Sequence, residues 1–177
     1  MLFKSLIRII TCLIFFTSCA STDENANAIE SYSLINSSIQ LSKGAYQALI
    51  GKYRESLNAV NINENAKIDT IELRVVLDSA KLTNQQSLSM INLAGEIDTT
   101  WYKEKALNYI HILDILYNNE FEKYISLFGT QSKYRYIKGN ELLSSRQLEL
   151  KKLDKEFSYA SDKIKSKYHL QIVDSLK

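Results

Sequence analysis

The sequence predicts an all-α fold: an elongated antiparallel bundle of about four helices, over 28–60, 66–94, 100–128 and 132–174, with left-handed heptad-type packing. Three observations predict it. The 177 residues contain no Pro, so nothing forces a helix to break. Apolar residues recur at spacings of three, four and seven, the period of a helix buried along one face. No alternating Val/Ile/Thr run and no hairpin dipeptide signals a strand. A composition of 45% apolar and 24% charged residues suits one ordinary globular domain. It excludes a disordered charged tail and a disulfide-stapled mini-protein.

In the first helix Tyr32, Ile39, Tyr46, Tyr53 and Val60 fall seven apart, with Ile35, Leu49, Ser42 and Ser56 on the companion track. Gly44 and Gly51 are also seven apart. Each costs about 1 kcal/mol of helix propensity against Ala, a cost that close approach of a neighbouring helix would offset; a kink is the alternative. Asn61–Asn65 reads as a turn. The second helix carries two apolar stripes, Ile68, Ile71, Val75, Leu82 and Leu93 on one side and Leu73, Leu77, Ala80, Leu88 and Ile91 on the other. That pattern implies burial on both sides, within the domain or against a partner. The polar run Thr83–Ser87 interrupts it. Gly95 suits a left-handed helix end.

Thr99 or Thr100 caps the third helix, whose core face is Ala106, Ile110, Leu113, Tyr117, Phe121, Tyr124 and Phe128. Gly129 ends it in the manner of Gly95. Thr130 or Ser132 caps the last segment, where Leu143, Leu150, Phe157 and Ile164 are seven apart, flanked by Leu153 and Ala160. Gly139-Asn140 is the point at which this long segment would divide. Turns of about four to six residues imply antiparallel neighbours, and helices of ~30 residues a bundle about 45 Å long. An elongated three-helix or coiled-coil hairpin assembly, with the second helix as partner surface, is the alternative architecture.

Residues 1–18, MLFKSLIRIITCLIFFTS, read as a cleaved secretory signal. Lys4 and Arg8 precede a short apolar run, and small Thr17 and Ser18 precede Cys19. The apolar run Leu6–Phe16 falls short of the roughly 20 residues a membrane-spanning helix needs. Phe16-Thr17-Ser18-Cys19 resembles the lipobox of the bacterial lipoprotein class: an apolar residue, two small ones and a Cys. Phe16 is bulkier than the usual Leu. The resemblance implies cleavage before Cys19, a thioether-linked diacylglycerol on its sulfur and acylation of the new amino terminus. It therefore implies a membrane partner engaged through covalent lipid. The alternative is a plain secretory cut that leaves Cys19 a free thiol. Residues 20–28, ASTDENANA, read as a flexible tether behind the lipidated Cys, and 29–177 as the single bundle domain. Asp23 and Glu24 resemble an acidic signal that directs lipoproteins to the outer membrane in some Gram-negative lineages; a solvated linker is the other reading. The expected location is the bacterial cell envelope, at the periplasmic or surface face of the outer membrane.

Taking Lys4 and Arg8 from the 22 basic side chains leaves 20, equal to the 20 acidic ones. A neutral, interspersed surface argues against nucleic acid as a partner. His111 and His169 are the two histidines, neither with a Glu three residues before it nor a second His at helical spacing, which argues against di-iron and zinc centres. A haem held between them would require both to face the core. No phosphate-binding Gly loop and no nucleophile elbow occurs. Glu120 and Glu122, two apart, diverge on a helix; Glu72, Asp78 and Asp114 stand alone, and Lys151–Glu156 mixes both signs as a solvated face does. The expectation is no enzyme, no catalytic residue, no metal and no cofactor.

The tyrosines Tyr32, Tyr46, Tyr53, Tyr117, Tyr124 and Tyr168 read as core residues with hydroxyls at the edge, or as lining of a groove. Trp101, Ile112 and Ile115 lie opposite the core face of the third helix. Tyr134, Leu148, Tyr159 and Leu170 lie off the core of the last. Trp101, Ile112, Ile115 and Tyr159 form the candidate patch for a protein partner. The alternative has Trp101 folded over the helix start and the others scattered singly. The functional expectation is a lipid-anchored, non-catalytic binding or scaffolding protein. The alternative is a carrier of a small apolar ligand between the helices.

Overall fold

The computed structural model describes the backbone at residues 2–95, 97, 100–130, 134–144 and 147–170, and side chains within those ranges from Asn25 onward, Thr100 excepted. Residues 1–18, read above as a signal, and the Cys19 side chain lie outside the described side chains. Six α-helices follow in order: α1 (Leu2–Ile62), α2 (Thr70–Leu93), α3 (Thr100–Ile115), α4 (Glu122–Phe128), α5 (Arg135–Ser144) and α6 (Gln147–Lys167). A π-helical segment, Leu116–Phe121, joins α3 to α4 in one rod. Among the described residues there is no strand, and no helix is long and apolar enough to cross a membrane.

Side-chain bonds fix the directions. Ser87 donates to the Ser38 carbonyl at 2.9 Å and Lys52 meets Glu72 at 2.8 Å, so α1 and α2 are antiparallel. Asn84 donates to the Ile110 carbonyl at 3.0 Å and Lys81 to Glu122 at 2.7 Å, so α2 opposes the rod of α3 and α4. Tyr32 bonds Ser161 at 2.8 Å while Lys43 pairs with Asp154, so α6 opposes α1. Lys105 meets Glu156 at 2.5 Å and the Tyr102 ring stacks on Phe157, which seats α6 against α3. The result is an up-down-up-down bundle. Its section is a rhombus, because α1 and the α3–α4 rod run parallel and touch across it, Tyr32 on Tyr102 with rings 5.5 Å apart and Tyr53 on Phe121 at 4.6 Å.

The seams follow the heptads. Tyr32, Ile35, Ile39, Ser42, Leu49, Tyr53, Ser56 and Val60 are buried on α1, with Tyr46 half-buried. All seven core positions of the third segment are buried, as are Leu143, Leu150, Phe157, Ala160 and Ile164. Between α1 and α2 the seam has a polar level: Ser38, Ser42, Asn84 and Ser87 are buried there, and the Ser42 hydroxyl and the Asn84 side-chain carbonyl have no hydrogen-bond partner.

Several element expectations need correction. The helix runs through 20–28, read as a tether, because that stretch has no Gly or Pro and is rich in Ala. The second helix starts at Thr70 and not at 66. Asp69 caps it, its carboxylate accepting from the Ile71 and Glu72 amides at 3.0 and 2.9 Å. Gly95 and Gly129 are not left-handed ends, since no glycine has positive φ. Gly95 instead lets the chain pass Ser31: a β-carbon there would stand 3.0 Å from the Ser31 hydroxyl. Of the proposed caps, Thr99 and Ser132 lie outside the described residues and Thr100 is the first helical residue of α3, its side chain undescribed; Thr130 bonds backward to the Leu127 carbonyl at 2.7 Å.

The last segment is two helices, yet it does not part at Gly139. Gly139 is buried inside α5, where a β-carbon would meet the Leu57 Cδ2 at 2.8 Å and the Tyr124 ring at 3.4 Å. It is the close-approach glycine, the role expected of Gly44 and Gly51, at both of which a β-carbon would meet nothing within 4 Å. α6 ends at Lys167, short of 174. His169, at φ 50°, turns the chain left-handed, and the Leu170 amide bonds back to the Lys165 carbonyl at 3.0 Å, closing a Schellman-type cap.

Burial of α2 on both sides within the domain is also overturned. Leu73, Leu77, Ala80 and Ile91 are buried, while Ile71, Val75, Leu82, Leu88 and Leu93 are exposed. α2 sits at a far corner of the rhombus, so its outer side meets none of the described helices.

Candidate functional site

Of the four residues of the proposed patch, the structure brings two together. Trp101, in the first turn of α3, lies 6.3 Å from the Tyr159 ring on α6. Trp101 is partly buried against the core and Tyr159 is 59% exposed. Their register comes from the layer beneath: Tyr102, next in chain, is sandwiched between Tyr32 of α1 and Phe157 of α6. Ile112 and Ile115 stand apart, 11 and 14 residues further along the rod, about 16–21 Å at 1.5 Å per residue. Both are partly buried, Ile112 against the core, so they do not extend the Trp101 surface.

The residue missing from the sequence reading is Lys163. Its ammonium lies 4.7 Å from the Tyr159 ring centroid and 5.7 Å from that of Trp101, within cation–π range of both. The available signal was the spacing: Lys163 follows Tyr159 by four, so the two share a helix face. One turn further on, the Lys167 ammonium stands 5.4 Å from the Tyr168 ring. Tyr134 is exposed and Leu170 partly buried, while exposed Leu148 lines an open hollow along α6 together with Tyr159, three turns from it.

The titratable groups are tied into structure. Glu122 is held below the usual carboxylate range by its hydrogen bond from Lys81, with further help from Arg74 at 3.2 Å. Glu156 is lowered in the same way by Lys105. Glu72 pairs with Lys52, Asp114 accepts from Asn118 at 3.0 Å, and His111 and His169 are exposed. Among the described residues no three His, Cys, Asp or Glu side chains gather as metal ligands would. Arg135 is buried, and its guanidinium donates to the carbonyls of Glu64 and Phe128, tying the 63–69 loop to the end of α4. A cation there also suits the negative end of that helix.

Burial raises the phenols of Tyr46, Tyr53, Tyr102, Tyr109, Tyr117 and Tyr124 above the ordinary tyrosine value, so they stay neutral. Tyr53 donates to the Phe121 carbonyl at 3.1 Å and Tyr124 to the Tyr53 carbonyl at 3.3 Å. The Tyr117 hydroxyl is buried without a partner. Tyr46 and Tyr109 border a hollow of about 190 Å³ beside the start of α6, together with Arg54, Gln147, Lys151 and Asp154. Its lining mixes charged, amide and apolar groups and is smaller than most ligand pockets.

Comparison with known protein families, with characterised proteins and with solved structures gives no match.

Proposed function

We propose that this chain is a lipid-anchored protein of the bacterial cell envelope, held at the outer membrane through diacylglyceryl-Cys19, and that it acts by binding or scaffolding without turnover. The observation that carries the reading is the run Phe16-Thr17-Ser18-Cys19 behind a basic and apolar start. Among the residues with described side chains, the first buried one is Ala28, nine positions after Cys19, which supports a domain close behind the anchor. A binding role is supported by the exposed apolar residues Ile71, Val75, Leu82 and Leu93 on one side of α2, since exposed apolar faces mark interaction sites.

The test is the intact mass of membrane-extracted protein. The wild type is expected to lack residues 1–18 and to carry acyl mass, and the Cys19→Ala protein to keep its precursor mass. A wild-type protein without added acyl mass refutes the reading.

A further inference from the structure

We infer that the Trp101–Tyr159–Lys163 cluster seats in the lipid headgroup layer beside the anchor, so that the bundle leans against the membrane with its α3–α6 edge down. The inference rests on the lipid-anchor reading and names the partner of its proximal end.

The antiparallel directions gather one set of termini around the start of the packed part of α1: Ala28 and Ser31 of α1, Ala94 and Gly95 after α2, Trp101 and Tyr102 of α3, and Ile164 of α6. This end carries both the Trp101–Tyr159–Lys163 cluster and the Lys167–Tyr168 pair. The opposite end, at Val60, lies about 48 Å away at 1.5 Å per residue. From Cys19 to Ala28 a helix rises about 14 Å, while the headgroup layer is about 5–7 Å thick. The cluster stands level with Tyr32, about 20 Å beyond Cys19 along the axis and about 10 Å to one side of it, so α1 tilted by about 45° toward the cluster brings it into that layer.

The side-chain chemistry fits such a setting. Trp and Tyr are enriched where an apolar body meets a wet boundary, and Lys reaches past them to phosphate. Exposed acids at this end, Glu30, Glu104 and Asp162, offset the lysines. Docking is therefore carried by the aromatic rings more than by bulk charge.

Trp101 is the sole tryptophan, and after removal of residues 1–18 Cys19 is the sole cysteine. Every buried residue described lies between Ala28 and Ile164, so the 19–177 chain keeps the whole core. Its Cys19 is coupled to maleimide phospholipid in phosphatidylcholine–phosphatidylglycerol vesicles, which supplies an anchor whether or not the cell does. Trp101 emission is expected to move to shorter wavelength on coupling and to be quenched by lipids brominated near the headgroup. Tyr159→Ser with Lys163→Glu is expected to lose most of both effects, and Leu148→Ser, 11 residues back along α6, to keep them. Circular dichroism verifies that each variant is folded. Emission unchanged on coupling overturns the inference, and so does a shift that survives the double substitution. An unacylated native protein sinks the anchor alone, because this measurement does not depend on cellular acylation.

Discussion

Replacing Gly44 and Gly51 by Ala is expected to stabilise the protein. Both are exposed mid-helix positions in α1, and a β-carbon at either would meet no atom within 4 Å. Nothing then opposes the propensity gain of about 0.8–1.0 kcal/mol per site, and sites about 10 Å apart with no shared partner add, to about 2 kcal/mol. For a domain of this size that raises the melting temperature by roughly 4–8 °C. Gly139→Ala serves as the contrast. It gains the same propensity but drives a methyl to 2.8 Å from the Leu57 Cδ2 and 3.4 Å from the Tyr124 ring. Overpacking costs about 1–3 kcal/mol, so a net loss of about 1 kcal/mol is expected. Thermal and urea melts followed by far-UV circular dichroism on the chain from Ala20 onward measure all three. A lower melting temperature for the Gly44/Gly51 pair would refute the argument, because it would mean that the outer side of α1 is covered.

Two tyrosine-to-phenylalanine changes should separate. Tyr53→Phe removes a 3.1 Å bond to the Phe121 carbonyl and is expected to cost about 1 kcal/mol in urea melts, whereas Tyr117→Phe removes a buried hydroxyl without a partner and is expected to be neutral or stabilising. Alkaline stability has a definite sign. Five buried phenols and the half-buried Tyr46 have folded pKa values above the ~10 of an unfolded tyrosine, so their contribution is complete below pH ~10 and lost as pH rises beyond it. Phenolate absorbance is expected to appear together with loss of helix; ionisation of these six with the helix intact would contradict it. On α2, Leu77→Ala is expected to cost about 2–5 kcal/mol, whereas Leu82→Ser, on the 56% exposed outer face, is expected to stay within about 0.5 kcal/mol. A large loss for Leu82→Ser, growing with protein concentration, would show that the outer face is occupied by a second molecule.

The heptads made the bundle legible because burial in a rod leaves a periodic trace: Tyr32 to Val60, Ala106 to Phe128 and Leu143 to Ile164 could be read directly. The start of α2 was legible too, in Asp69 and Glu72 three apart, a capping pair that the apolar run beginning at Ile68 obscured. What spacing does not encode is which side of a helix meets which neighbour. Gly44, Gly51 and Gly139 look alike in a string, and only the packing of α5 on Leu57 and Tyr124 tells them apart. The outer row of α2 likewise reads as buried until the rhombic section leaves it without a neighbour. The π-helical segment Leu116–Phe121 left no such trace: at 100° per residue Tyr124 and Phe128 fall at the angles of Ala106 and Ile110, so the core spacing reads as plain α-helix through it. At the candidate patch, Trp101 and Tyr159 were chosen for lying off the core, but their juxtaposition depends on α3 and α6 being neighbours, and Lys163 enters only once that is known.

α1 touches every other arm of the bundle: α2 through Ser38, α3 through Tyr32, α5 at Leu57 and α6 through Lys43. A pull on its amino-terminal end, directed along the axis, loads all of these contacts in shear at once. None can peel open ahead of the rest, as they would if the leash entered from the side. The staff that would hold the domain to a surface is thus also its spine, and mechanical failure would require the whole molecule to give way together.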